Sequence, residues 1–278
     1  MKVVLFGSTG MLGNYIKHYF QDKTELICIT RKDYDISGVT YESLDKLLKD
    51  YKVEKNDVVI NAAGCIPQKQ QDYVSYYLVN TIFPLLLSKI CKYNSYKLIH
   101  ITTDCVYNGD SGNYCELDRH SETNMYGISK SLGEQHTGTT IRTSIIGEEN
   151  TDSNFSLLEW VRHSEDKNIM GYVNHKWNGI TCLQLTKIIY TIINEDRYWE
   201  GTYHIFSPNH INKYELIKMI ANVYNIKTNI TEFETPQKID KTLISYCEFI
   251  NDYFKIPCIY DQIVEQKEYN LYSRTYSN

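Results

Sequence analysis

The run Lys2-Val-Val-Leu-Phe6 passes directly into Gly7-Ser8-Thr9-Gly10-Met11-Leu12-Gly13, and this junction restricts the fold more than any other stretch of the chain. An unbroken apolar run ended by glycine reads as a strand buried on both faces of a parallel sheet. A helical period then takes over at Met11, Leu12, Tyr15, Ile16 and Tyr19, and Leu26-Ile-Cys-Ile29 reads as the next strand. Strand, glycine turn and helix in that order open a βαβ unit. Its glycines let the backbone turn tightly and approach a pyrophosphate at the helix N-terminus. Gly7, Ser8, Thr9, Gly10, Met11, Leu12 and Gly13 are therefore candidate cofactor-binding positions.

The same rhythm continues. Strands are expected at Val58–Asn61, 97–102 and 140–143, with helical stretches at about 41–51, 73–93 and 126–136 between them. This alternation predicts an α/β fold, a Rossmann doubly wound parallel sheet with right-handed crossovers. After Ser144 the pattern loosens into a polar loop (148–154), a helix around 155–163, a short strand near 169–173 and a helix at about 182–194. A helix at about 213–223 follows, and then irregular, tyrosine-rich sequence. Residues 1–145 are expected to form the dinucleotide-binding domain, with 173–206 returning to it. Residues 146–172 and 207–278 form a smaller, interleaved C-terminal substrate lobe over the carboxyl ends of the strands; 278 residues suffice for both.

Composition narrows the function classes. A net charge of −5 without a basic block leaves no electrostatic footprint for nucleic acid. Eight cysteines at 28, 65, 91, 105, 115, 182, 247 and 258 include no CxxC pair, so no metal site is expected. The apolar run before Gly7 is too short for a signal peptide, and no stretch is expected to reach the roughly 18 to 20 apolar residues of a membrane span. A cytoplasmic, reducing location follows as the expectation.

At the end of the second strand, where an NAD enzyme offers a carboxylate to the ribose, Thr30-Arg31-Lys32 places two cations. NADP(H) is the expected cofactor. Asn61-Ala62-Ala63-Gly64 supplies small residues where the backbone passes close to it. Further along, Tyr126-Gly-Ile-Ser-Lys130 sets a phenol and an ammonium on one face of a helix. A nearby cation lowers a phenol's pKa, and the phenol can then protonate a developing alkoxide as hydride arrives. The preceding strand ends in Thr102-Thr103-Asp104-Cys105, whose hydroxyl can hydrogen-bond a substrate carbonyl.

With the glycine turn, these motifs resemble the extended short-chain dehydrogenase/reductase superfamily, and within it the branch of 4-dehydrorhamnose reductases and GDP-fucose synthases. The resemblance rests on Thr102-Thr-Asp-Cys-Val-Tyr-Asn-Gly109, Tyr126-Gly-Ile-Ser-Lys-Ser-Leu-Gly-Glu134, Ile141-Arg-Thr-Ser144, Asn80 with Pro84, and Asp240-Lys-Thr-Leu243. It implies a catalytic triad of Thr103, Tyr126 and Lys130, an adenine site near Asp35 and Ile36, and a homodimer. Cys105 stands where related dehydratases carry an acid; GDP-fucose synthase, which epimerises before it reduces, is similar in placing a cysteine there. A thiolate can remove the proton beside a ketone while a second acid returns one from the opposite face. Candidates for that acid are His175 and Lys176, then His163. Cys105 reads equally as a packed strand-end thiol, and Arg142 as a phosphate contact or the partner of a carboxylate. Trp177, Tyr203, Tyr214 and Tyr246 are possible stacking residues.

The expected activity is NADPH-dependent reduction of the 4-keto group of a UDP- or dTDP-linked 4-keto-6-deoxyhexose, with epimerisation at C3 or at C3 and C5. The products would be UDP-L-rhamnose or a UDP-2-acetamido-2,6-dideoxy-L-hexose. A cofactor-recycling epimerase or dehydratase and a non-catalytic NADP-sensing protein are the alternatives.

Overall fold

The computed structural model describes residues 1–69, 72–134, 137–149 and 155–275. The end of the expected helix at 135–136 and most of the polar loop, 150–154, lie outside the described residues. The strands are β1 (Lys2–Phe6), β2 (Glu25–Ile29), β3 (Val58–Asn61), β4 (Lys97–Thr103), β5 (Thr139–Thr143), β6 (Ile145–Ile146), β7 (Asn168–Tyr172), β8 (His175–Trp177), β9 (Ile180–Thr181), β10 (Gly201–His204), β11 (Ile211–Asn212), β12 (Asn229–Phe233) and β13 (Ile239–Asp240). The helices are α1 (Met11–Phe20), α2 (Tyr41–Asp50), α3 (Tyr73–Tyr77), α4 (Phe83–Asn94), α5 (Met125–Leu132), α6 (Leu157–Arg162), α7 (Cys182–Asn194), α8 (Lys213–Tyr224), α9 (Glu248–Phe254) and α10 (Ile259–Thr275).

The chain divides into two compact units. The first holds residues 1–106, 120–142 and 186–203, built on a six-stranded sheet in the order β10-β5-β4-β3-β1-β2. β1 pairs parallel with both β2 and β3, and β3 parallel with β4. From β1 the chain steps outward to β2 and then back past β1 to β3. This reversal opens a crevice at the carboxyl ends of β1 and β3, where ligands bind in open α/β sheets.

Local chemistry explains the elements. Thr40 and Ser43 form a capping box that starts α2. Leu44 and Leu48, one turn apart, bury fully beside Phe83, Leu87 and Ile90 of α4 on one face of the sheet. Each such side chain contributes about 1.5–3 kcal/mol of burial. Phe20 of α1 meets Tyr190 of α7 edge-on at 5.4 Å.

A continuous helical stretch, Tyr73–Asn94, corrects one expectation: by length and composition it is apolar enough to cross a membrane. Half of its most apolar window is buried, and Asn80, Thr81 and Ser88 within it bond to neighbouring segments. That is the pattern of a core helix.

The second unit holds residues 107–119, 143–185 and 204–278. It contains three small sheets, β8 with β11 and β13, β7 with β12, and β6 with β9. Its core gathers Leu158, Val161, Trp177, Leu216, Ile220, Ile259 and Ile263. Its borders differ from expectation chiefly at 107–119 and 173–185, with three-residue shifts at 143–145 and 204–206. The first of these segments is stitched to the C-terminal part through Tyr114 N–H to Thr242 and Ile244 N–H to Tyr114, and the second carries β8 and β9, which pair inside this unit.

The C-terminal stretch, expected to be irregular, contains two helices. Periodicity hides α10 because its buried face includes Gln262 and Gln266, whose side-chain carbonyls accept from Thr181 N–H (3.0 Å) and Leu183 N–H (3.3 Å).

Candidate active site

The glycine turn is shaped by contact. Gly7 has φ +82°, and a Cβ there would lie 2.6–2.8 Å from the backbone of Ala62 and Ala63. At Gly13 a Cβ would lie 2.0 Å from the Gly7 carbonyl, so α1 can pack onto the turn only through glycine. Gly10 caps α1 without a side-chain hydrogen bond, which leaves first-turn N–H groups to an anion.

A cleft of about 350 Å³ opens beside this turn, lined by Gly7, Thr9, Gly10, Arg31, Asp35, Ile36, Ala62, Ala63 and Gly64 among others. These are expected cofactor positions. Ser8 is buried, with its hydroxyl bonded to Cys28, and Leu12 is buried in the core; neither lines the cleft. Met11 and Lys32 are not among its lining residues either. The Ser37 amide and hydroxyl bond to the Asp35 carboxylate, and with nearby Arg31 they hold it below the usual carboxylate range. Tyr34, anchored by its hydroxyl to Ser43 at 2.7 Å, also lines the cleft, as do Thr30, Ser37 and Cys65. Tyr34, Ser37 and Cys65 belong to no motif legible in the sequence, and Thr30 stands at the head of the Thr30-Arg31-Lys32 run.

The second half of the site joins β4 and α5. Asn124 caps α5 by accepting from Gly127 N–H at 2.9 Å. Tyr126 and Lys130 follow one turn apart. The Tyr126 hydroxyl is enclosed although the residue keeps some surface, and it shares a hydrogen bond with Thr103. The Thr103 hydroxyl also donates to Asp104 (3.2 Å) and accepts from Cys105 N–H (3.1 Å). Cys105 is a close electrostatic neighbour of the phenol.

Lys130 is buried and donates to the Ile101 carbonyl at 2.9 Å. Burial pushes its ammonium down to about 8, opposed by Glu134 and Cys65. The phenol differs from expectation. Burial and Cys105 raise its pKa above the ordinary tyrosine value against the pull of Thr103, so the phenol is held protonated. A protonated, enclosed phenol bonded to a threonine hydroxyl can donate a proton to a substrate oxygen.

One residue ties the two halves together. Asn80 sits in a π-helical segment, Leu78–Ile82, between α3 and α4. Its side chain accepts from Cys65 N–H (2.9 Å) and donates to Cys65 O and Ser129 Oγ, each at 3.1 Å. It thus pins the cleft wall to the helix carrying Tyr126 and Lys130. Arg142 resolves its two readings by pairing with Glu134, which also accepts from Thr102 at 3.1 Å.

The remaining candidates, apart from Tyr203, lie in the second unit. His175 Nε2 bonds to Thr235 Oγ1 at 2.8 Å, and burial lowers its pKa. Lys176 pairs with Asp240 at 3.4 Å, and His163 Nδ1 bonds to the Glu159 carbonyl. Trp177 is core, under the Lys213 ammonium, whereas Tyr246 is exposed. Tyr214 packs on Gly171, and Tyr203, in the first unit, meets Trp199 edge-on. Among the described residues no cluster of ligating side chains could hold a metal.

A mostly parallel sheet with a glycine turn at its reversal point, a threonine at the end of β4 and a Tyr-Lys pair on α5 defines the extended short-chain dehydrogenase/reductase class. The RmlD substrate-binding-domain family matches residues 1–245, and the chain belongs to that family, in the 4-dehydrorhamnose reductase-like branch. A dTDP-4-dehydrorhamnose reductase of Mycobacterium tuberculosis is 27% identical over 142 residues, 48% of this chain and 44% of that protein. The match thus spans less than half of that relative. A dTDP-4-keto-6-deoxy-D-glucose reductase of Streptomyces niveus is 26% identical over 228 residues, 77% of this chain and 75% of that protein. The crystal structure of a dTDP-4-dehydrorhamnose reductase from Bacillus anthracis in complex with NADP superposes with a TM-score of 0.79 at 20% identity, covering 94% of this chain and 96% of that one.

Proposed function

We propose that the chain is an NADP(H)-dependent reductase of the 4-keto group of a nucleotide-linked 4-keto-6-deoxyhexose, dTDP-linked as in the names of its relatives. The observation that carries this reading is the Tyr126 hydroxyl, enclosed, protonated and bonded to Thr103, with buried Lys130 one turn along α5. The glycine cradle and the cleft beside it fit a dinucleotide: Gly7, Gly10 and the first turn of α1 would hold its pyrophosphate, and Arg31 the 2′-phosphate. When bound, the cofactor supplies the hydride. Thr103 orients the sugar carbonyl, Tyr126 gives its proton to the carbonyl oxygen as negative charge develops there, and the Lys130 ammonium stabilises the phenolate left behind.

The reading extends to epimerisation before reduction, with Cys105 as the base at C3 or at C3 and C5. What supports it is the place of the thiol beside Tyr126. His175 and Lys176 are the proposed acids. We further propose a homodimer, supported by Tyr73, Val74, Tyr77, Ile82 and Leu85, five large apolar side chains at least 37% exposed along one helical stretch. Eight free thiols fit the reducing cytosol.

The test incubates the protein with NADPH in deuterated water and dTDP- or UDP-4-keto-6-deoxyglucose, with the 2-acetamido analogue in a third arm. NADPH oxidation with a 4-hydroxy product supports the reductase, and the preferred arm identifies the nucleotide and product. Carbon-bound deuterium that disappears in Cys105→Ala supports epimerisation. Turnover that survives in Tyr126→Phe would sink the assignment.

A further inference from the structure

His100 lies in the middle of β4, directly opposite Asn61 of β3 in the parallel register, and is 1% exposed. The reaction outlined above makes no use of it. Its Nδ1 stands 3.1 Å from Asn61 Nδ2, and Asn61 Oδ1 accepts from Ala63 N–H at 3.1 Å. The second bond settles the first. Because Oδ1 serves the Ala63 amide, the asparagine end facing the imidazole is the NH₂ group, which can only donate. Nδ1 is therefore the acceptor and Nε2 carries the proton. That Nε2–H is buried with no hydrogen-bond partner among the described residues. Burial and the neighbouring Lys130 ammonium keep the ring neutral.

We propose that His100 is a positioning residue for cofactor binding: by accepting the Asn61 amide it aims Asn61 Oδ1 at the Ala63 N–H and holds the Ala62–Gly64 turn against the glycine turn. This rests on reading the cleft as the dinucleotide site. The geometry leaves little slack, because Ala62 and Ala63 form the surface on which Gly7 packs, at distances no side chain would tolerate, and Ala62, Ala63 and Gly64 all line the cleft. Without an acceptor at the place of Nδ1, the Asn61 amide is free to rotate and Ala63 N–H loses a fixed partner. The neutral ring sits beside Lys130, so one side chain serves the cofactor wall without adding a second charge next to the catalytic ammonium.

A merely structural role predicts a different outcome from a positioning one. Replacing His100 by leucine removes one unpaired donor, Nε2–H, and creates another, Asn61 Nδ2, so the thermal midpoint should hold while the turn loses its orientation. The experiment titrates NADPH by fluorescence and measures kcat, KM and Tm for wild type, His100→Leu, His100→Asn, Asn61→Ala and the His100→Leu/Asn61→Ala double variant. In His100→Leu the Kd and KM for NADPH should rise about tenfold, the effect of one lost oriented hydrogen bond, with kcat at saturating NADPH within about threefold of wild type. His100→Asn, whose carbonyl can stand near the place of Nδ1, should recover most of the affinity. The double variant should bind no more weakly than Asn61→Ala alone, because both changes break one chain of contacts.

The proposal is overturned if His100→Leu binds NADPH as wild type does, if His100→Asn is as weak as His100→Leu, or if the two single changes add. Should His100→Leu fail to fold, Asn61→Ala carries the test, and unaltered NADPH affinity there overturns it. A wild-type protein that does not bind NADPH would instead overturn the cofactor reading beneath the proposal.

Discussion

Tyr126 and Lys130 respond in opposite directions to the same cause. Burial penalises any charge, so it lifts the phenol above its ordinary value and brings the ammonium down to about 8. In Tyr126→Phe, removal of the proton donor should lower kcat by roughly 10²- to 10⁴-fold with NADPH affinity little changed, as steady-state rates and a binding titration will show. The pH dependence has a definite sign. A lysine with a lowered pKa is charged below about 8 and neutral above it, so kcat/KM should fall as pH rises through about 8. A profile still rising at pH 9 would separate Lys130 from the reaction. Arg31 is a cation that lines the cleft. Arg31→Ala should weaken NADPH by roughly ten- to a hundredfold, the range of a lost charged hydrogen bond, and leave NADH nearly unaffected. Paired titrations with the two cofactors measure this.

Elements matter here through what they fasten. The π-helical segment between α3 and α4 places Asn80 where its amide reaches both the cleft wall and α5. Behind α5, Glu134 and Arg142, at most 8% exposed, form an ion pair extended by Thr102. Glu134→Ala should destabilise the fold by about 3–5 kcal/mol, because it leaves the Arg142 guanidinium buried without its counter-charge. Urea unfolding followed by circular dichroism gives the value. An effect below about 1 kcal/mol would mean that Arg142 finds another partner.

At the scale of the whole molecule, Tyr73, Val74, Tyr77, Ile82 and Leu85 recur at steps of one to five residues along one helical stretch and keep 37–68% exposure. If this face closes a homodimer, Leu85→Glu should shift the protein to monomers in light scattering coupled to gel filtration. NADPH affinity should persist, because none of these residues lines the cleft beside the glycine turn. A wild-type protein that is monomeric at tens of micromolar would remove the dimer from the proposal.

Whatever follows from local rules was legible in the residues alone. An apolar run into glycines implied β1, its turn and α1, and a tyrosine and lysine four apart shared a helix face wherever that helix docked. The helical period marked α2 and α8 because those helices bury aliphatic faces. Tertiary structure decided everything that depends on partners distant in sequence. Glu134 claimed Arg142, and Ser8 turned to Cys28 rather than to the cleft. The phenol of Tyr126 rose instead of falling, because its enclosure outweighed any stabilisation of the phenolate. The helix α10 stayed invisible because glutamines, not aliphatic residues, fill part of its buried face. Periodicity records how a segment meets an apolar neighbour; it carries no record of which polar group, dozens of residues away, will satisfy a buried hydrogen bond.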